Sequence, residues 1–338
     1  MEHQGERTPA GQRTPAARRP PETPPGRASA ARRIRDTLHA AGADAQLHAV
    51  PVQGPPGPEV GVRADEPAVI ASLVKILLAL EFARQCAAGQ LDPRERVRVT
   101  ARDRLGGWGT SGCADDVELS LRDLAHFALS VSDNAAADVL FDRVGVDTVR
   151  LLAAELGLTG VRLTGGPRAI LRGMLADVGA ATEAEFPARY RALSDERKAA
   201  LGCLDPARTN AATPRDITRL LRLVWRDEAG PPQACAQVRE LMGRQVFRHR
   251  LVSGFPPDVR IAAKTGTLPG LHIEAGVARC ADGREYAVAV FARTRTPSAW
   301  LPAVDAAIGT AGRLAVEELH GRPLHAEADA GSPADLLR

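Results

Sequence analysis

The sequence has no apolar run long enough to cross a bilayer, and its N-terminal residues lack the apolar stretch of a signal peptide. The paired arginines at 18–19 and 32–33 are not followed by a hydrophobic segment, which argues against twin-arginine export. The expectation is a cytoplasmic protein with no membrane partner, secretion staying open if the true start differs. Cysteine is sparse and unpatterned. Cys86, Cys113, Cys203, Cys235 and Cys280 are odd in number and never spaced as CxxC, so they read as reduced, structural thiols rather than a disulfide framework. The eight histidines show no HExxH or comparable ligand spacing, so neither a metal nor any other cofactor is expected.

What is present is a globular composition: 338 residues, 44% hydrophobic and 25% charged, with a net charge of +3. Much of the basic excess sits in the first 35 residues, rich in Pro, Arg and Gly and nearly free of large apolar side chains. Such a segment buries too little surface to offset its ordering entropy, and residues 1–27 read as a disordered tail. Nothing aromatic or structured accompanies its arginines, so no nucleic-acid partner is expected. Residues 321–338 read as a flexible C-terminal tail.

Between the tails, "ASAARRIRDTLHAA" (28–41) has the pattern of an amphipathic helix. Two strand-like runs follow, "AQLHAV" and "EVGVRA", separated by "PVQGPPGP". Helical patterns then dominate to about residue 225, the first being "ASLVKILLALEFARQCAAG", ended by Gly89. After a further helix near 233–243 come "VRIAAKTGT", "HIEAGVARC" and "REYAVAVFAR", the last two joined by the hairpin signal Asp282-Gly283. A final helix spans roughly 300–319. The simplest arrangement is an α/β (α+β) fold: one five-stranded antiparallel sheet built from both chain ends, with flanking helices. That α/β part takes 28–70 and 215–320. An all-helical part over 71–214 forms the second half, and a site is expected in the cleft between them.

Three polar clusters interrupt this pattern. Ser72 and Lys75 lie one helical turn apart inside an aliphatic run. Ser132-Asp133-Asn134 stands at the junction of two helical patterns, and Lys264-Thr265-Gly266-Thr267 ends a strand-like run. Alone, each has an ordinary reading: a serine bonding back to the previous turn, a snorkelling lysine, an N-cap, a turn. In this order, SxxK, SDN and KTG are the words of class A β-lactamases and penicillin-binding proteins. The chain resembles a class A β-lactamase-like serine hydrolase over roughly residues 28–320. The 60 residues from Ser72 to Ser132 match the family's spacing, and "NAATPRDITRLL" is similar to its Thr-Pro helix start after the omega loop.

The chemistry needs these residue types. A serine hydroxyl must lose its proton to a base. Lys75, sheltered by aliphatics and near a second cation, is a candidate once its pKa is depressed. The resemblance implies Ser72 as nucleophile, Lys75 as base, Ser132 as proton relay to the leaving group and Lys264 as positive charge. Asn134 would hold Lys75 and the substrate amide, and Gly266 would let substrate approach the strand. Thr265 would contact a substrate carboxylate or carbonyl. The N–H groups of Ser72 and Thr267 would form the oxyanion hole. Trp108, on the Gly-rich loop "GGWGTSG", reads either as a wall of the pocket or as ordinary loop packing.

Two departures stand beside this resemblance. The family's ExxLN word, whose glutamate drives deacylation, is missing, and 79 residues separate Asn134 from Pro214, so the omega-loop region is enlarged. Counting back from Thr213-Pro214 lands on Arg197, beside Glu196. Glu196 is the candidate deacylation base, with Glu183, Glu185 and Asp205 as alternatives, or Lys75 serving both steps. The arginine the family often carries after KTG is Ile273 here, flanked by His272 and Glu274. Arg248, Arg250 or Arg260 would have to compensate, a solvated charge being their plainer reading. Glu274 would repel an anionic substrate if it faced the cleft. The expected activity is hydrolysis of a small-molecule β-lactam, amide or ester through an acyl-enzyme, atypical as a penicillinase, in a monomer by default. A D-alanyl-D-alanine carboxypeptidase or transpeptidase, or a non-catalytic ligand-binding relative, would share the same words.

Overall fold

The structure, a computed structural model, describes residues 29–55, 57–104 and 106–324. The disordered tail expected over 1–27 and most of 321–338 lie outside them. The chain begins with α1 (Ala30–Ala40), capped by Ser29, whose hydroxyl accepts from the Arg32 N–H. It continues into β1 (Ala43–Pro51) and β2 (Val60–Val62). After the two-residue β3 (Ala68–Val69), a 3-10 turn over Ala71–Leu73 leads into α2 (Val74–Ala87).

A hairpin of β4 (Arg96–Val99) and β5 (Val117–Ser120) precedes α3 (Leu121–Ser130), α4 (Asn134–Val144) and α5 (Val146–Glu155). The enlarged segment holds α6 (Pro167–Val178), α7 (Phe186–Arg191) and α8 (Asp195–Ala199) before β6 (Ala211–Ala212) returns to pair with β3. Next come α9 (Pro214–Trp225), α10 (Pro232–Gly243) and the short α11 (Leu251–Gly254). Strands β7 (Arg260–Leu268), β8 (Leu271–Arg279) and β9 (Glu285–Thr294) and helix α12 (Pro302–His320) complete the fold.

The main sheet is antiparallel and five-stranded, in the order β2-β1-β9-β8-β7, so strands from both chain ends share it. One face packs on α1 and α12 through Ile34, Leu38, Val290 and Ile308. The other continues into a larger core around α2, where Leu77, Leu80 and Phe82 meet Leu124, Leu140 and Leu220. With both faces covered, β8 and β9 lose the in/out alternation of a half-exposed strand and are buried along nearly their whole length, His272 and Glu274 of β8 included. The helix start at Thr213 forms as its sequence predicts. Thr213 caps the Asp216 N–H, the Asp216 carboxylate bonds back, and Pro214 occupies the first turn. The sequence reading missed β3–β6 and the β4–β5 hairpin, which are too short to carry a period of their own.

Candidate active site

Ser72 lies in the 3-10 turn that opens α2, rather than in the α-helix itself. Ala71 before it adopts a left-handed backbone (φ +42°), a conformation costing a non-glycine residue about 1–3 kcal/mol and held by its surroundings. Those surroundings are close on both sides. The Ile70 N–H donates to the Asn210 carbonyl at 3.0 Å. A Cβ on Gly266 would meet the Ile70 carbonyl at 3.2 Å and Ile273 at 2.7 Å. Gly266 therefore lets β7 pass against the turn carrying Ser72, a packing demand beyond the substrate access expected of it.

Lys75 is fully buried on α2. Its Nζ donates to the Ser132 carbonyl (2.7 Å), Asn134 Oδ1 (2.8 Å) and Ser132 Oγ (3.3 Å). Burial lowers its pKa to about 7, against the opposing pull of Asp133 and Asp138. An amine so placed is available as a base near neutrality. The turn supplying its partners is itself constrained: Ser132 has φ +58°. Asp133 caps α4 through the Ala136 N–H and accepts from both the N–H (2.6 Å) and the hydroxyl (2.8 Å) of Thr110. Asp133 thereby anchors the Gly-rich loop, whose Gly109 has no room for a side chain against that carboxylate.

On β7, Lys264 is also fully buried, its Nζ donating to the Thr265 carbonyl at 2.8 Å. Burial first, and then the charge of Lys75, hold it well below its ordinary pKa. Thr265 is buried, and its N–H donates to Gln245 Oε1 at 2.6 Å. Thr267 is exposed, and its hydroxyl accepts from Arg250 at 2.8 Å. Ser72, Lys75, Asn134 and Thr267 share one cavity of about 140 Å³, walled in part by Pro167, Ile170, Leu171 and Met174 of α6, with Ala71, Val74 and Leu268 completing its lining. The four α6 residues recur at i, i+3, i+4 and i+7, one face of a helix. Trp108 does not line this cavity. It stands exposed, 6.3 Å from the Phe247 ring, while its neighbour Gly107 approaches Asn134.

Residues 29–319 match the sequence pattern described as the beta-lactamase enzyme family. The chain belongs to that family. Over 309 residues it is 30% identical to the "Beta-lactamase regulatory protein BlaB" of Streptomyces cacaoi, covering 84% of this chain and 96% of the relative. It is 26% identical to the solved beta-lactamase from Sphaerobacter thermophilus DSM 20745, with a TM-score of 0.69 over 87% of this chain and 98% of that one. PBP-A, at 18% identity, TM-score 0.68 and coverage of 89% and 99%, is alike in fold.

The enlarged segment brings apolar residues of α6 to the cavity. Counting back from Thr213-Pro214 led to Glu196, but that residue sits exposed on α8 and does not line the cavity. Glu183 and Glu185 are exposed as well, and Asp205 turns back to the Ala207 N–H. The count missed because α6, earlier in the chain, is what covers the site. Among the described residues no carboxylate lines the cavity. Asp138 on α4, which the sequence reading passed over, is an acid whose charge acts on Lys75. It is buried, accepts from the Arg168 N–H at 2.9 Å, and burial raises its pKa to about 6.

The three arginines separate in space. Arg250 is buried, not solvated. It pairs with Asp305 (2.6 Å) and donates to the Gly266 and Ile273 carbonyls as well as to Thr267. Arg248 and Arg260 line a different cleft. Glu274 does not face the cavity: it is fully buried, accepting from Gln245 Nε2 (2.7 Å) and the Leu251 N–H. Both Ile273 and Glu274 are enclosed because each face of β8 is covered. Gln245, which ties Glu274 to Thr265, carried no signal in the sequence.

Proposed function

We propose that the protein is an active-site serine hydrolase that acylates Ser72 with a small amide or ester substrate, a strained β-lactam amide among them. The Ser72 hydroxyl proton passes to the Lys75 amine as Oγ bonds to the substrate carbonyl carbon. The resulting oxyanion is met by the N–H groups of Ser72 and Thr267. Collapse breaks the carbon–nitrogen or carbon–oxygen bond, and the Ser132 hydroxyl gives its proton to the leaving atom, taking one back from Lys75. Water then releases the acid product. The observation that carries the reading is Lys75, a fully buried amine with a pKa of about 7, donating to both Ser132 and Asn134 at a cavity it shares with Ser72. The apolar α6 wall supports slow release, since it offers no base to a hydrolytic water, and so a weak penicillinase.

A second reading is favoured by one relative, which is described as a regulatory protein: a penicillin-responsive protein for which a long-lived adduct is the output. Intact mass measured after mixing with penicillin G, nitrocefin or a p-nitrophenyl ester separates the cases. Turnover lost in Ser72→Ala supports the hydrolase. A stable adduct on Ser72 supports the responsive protein. Neither turnover nor adduct with any of them rejects both.

A further inference from the structure

The far end of the sheet carries a second concavity. The start of β7 and the adjoining ends of β8 and β9 border an open cleft of about 640 Å³, with residues of α9 and α10 on its other side. Arg239, Arg248, Arg260 and Arg279 line it together with Glu285, and Trp225 at the end of α9 forms part of its wall. The volume falls in the range of small-molecule sites, roughly 300–1,000 Å³.

The charge arrangement is what sets this cleft apart. Arg260 and Arg279 are directly opposite each other on β7 and β8, so their side chains leave the same face of the sheet. Like charges in that relation repel. Glu285, opposite Arg279 on β9, offsets one of them. Arg239 is committed to Asp227 (2.6 Å) and the Val224 carbonyl (2.6 Å). Arg248, Arg260 and Arg279 are exposed, and among the described residues no carboxylate pairs with them. With Arg239 paired to Asp227, three guanidinium groups stand against the single lining carboxylate of Glu285, a local excess of two positive charges.

We propose that this cleft binds an anionic small molecule that combines a phosphate-type dianion with a flat ring. The guanidinium groups of Arg260 and Arg279 take the dianion between them, the forked donor geometry for which arginine suits phosphate oxygens. A shared anion turns their mutual repulsion into attraction for one ligand, and Arg248 adds a third donor from outside the sheet. The ring lies against the Trp225 indole. The site is separate from Ser72: Arg260 and Lys264 are four residues apart on one strand, about 13 Å.

The test is titration of phenyl phosphate into the full-length protein by calorimetry and tryptophan fluorescence, at fixed ionic strength set with chloride. Inorganic phosphate and phenol serve as the two halves of the probe. Saturable one-to-one binding of phenyl phosphate is expected, weaker for inorganic phosphate and undetected for phenol. The double variant Arg260→Gln/Arg279→Gln is expected to lose at least tenfold in affinity. Trp225→Leu should weaken phenyl phosphate and leave inorganic phosphate unchanged. Arg248→Gln, which leaves the strands untouched, should also weaken binding, and it decides the matter if the double variant fails to fold. Unchanged affinity in the arginine variants overturns the proposal, as does a response that added chloride reproduces. Loss of phenyl phosphate binding once Ser72 is acylated places the probe in the catalytic cavity and overturns it equally.

Discussion

The Lys75 ammonium donates to the Ser132 carbonyl at 2.7 Å, and through that bond α2 and the turn before α4 are held at one point. The same nitrogen reaches Asn134 Oδ1 at 2.8 Å. Three oxygens thus satisfy an ammonium that has no access to water, while burial keeps its proton loosely held. The compromise explains why an amine is tolerated buried in the first turn of a core helix.

Acylation should follow the Lys75 proton. The reactive form is the neutral amine, so the rate is low where the ammonium dominates and rises with pH through a midpoint near the lysine's value of about 7. Quenched-flow mass spectrometry of Ser72 acylation across the neutral range checks this. A rate independent of pH there would remove Lys75 from the role of base.

Asp138 gives a coupled prediction. Its charge supports the Lys75 proton, and burial raises its own pKa to about 6. An acid with a raised folded pKa binds its proton more tightly in the folded state, so this group's contribution to stability falls as pH climbs from its unfolded value to about 6. Asp138→Asn should therefore be more stable than wild type above neutrality, by up to about 3 kcal/mol for a carboxyl raised to about 6. The gain should vanish in the ordinary aspartate range, because Asn can still accept from the Arg168 N–H. The acylation midpoint should move to lower pH in the same variant. Thermal melts and the rate profile measure the two effects independently.

The five strands of the main sheet and several helices were legible because period and turn chemistry agree there: Thr213-Pro214 at a helix start, Asp282-Gly283 at a hairpin; the order of the strands was not. The three motifs were legible as words. What the words could not carry was the direction in which distant segments fold over them. Nothing in "GGPRAILRGML" shows that Ile170, Leu171 and Met174 close the cavity, since a helix with an apolar face covers whichever neighbour the chain delivers it to. Arg250 and Arg260 looked alike in sequence, yet one is buried against Asp305 and the other lines an open cleft. Burial depends on partners far along the chain, 55 residues away for Arg250.

Arg250 should be structural as well as local to the site. Truncation to Met leaves two strand carbonyls without their donor and Asp305 with His272 as its remaining hydrogen-bond partner at 2.8 Å, and breaking a buried pair costs up to about 3–5 kcal/mol. Arg250→Lys keeps the charge and loses the fork, so an intermediate loss is expected. Chemical denaturation of the two variants orders them. In the Lys variant, which should remain folded, acylation by a penicillin and by a neutral ester should both slow, because the donor to Thr267, whose N–H meets the oxyanion of either substrate, is disturbed.

The α6 wall makes the most direct prediction about release of the acyl group. A hydrolytic water needs a base beside the ester, and Leu171 lines the cavity that Ser72 and Lys75 share. Leu171→Glu places a carboxylate among Ile170 and Met174, where burial raises its pKa toward the range in which it can both hold and accept a proton. General-base catalysis is worth typically about 10²–10⁴-fold, and an unoptimised position should recover the lower part of that. The Ser72–penicillin adduct should decay at least tenfold faster than in wild type, with the acylation rate little changed. Leu171→Gln has the same shape without the carboxylate, so it should leave the adduct as long-lived as wild type. Equal decay in the Glu and Gln variants would show that the missing carboxylate on this wall does not limit deacylation.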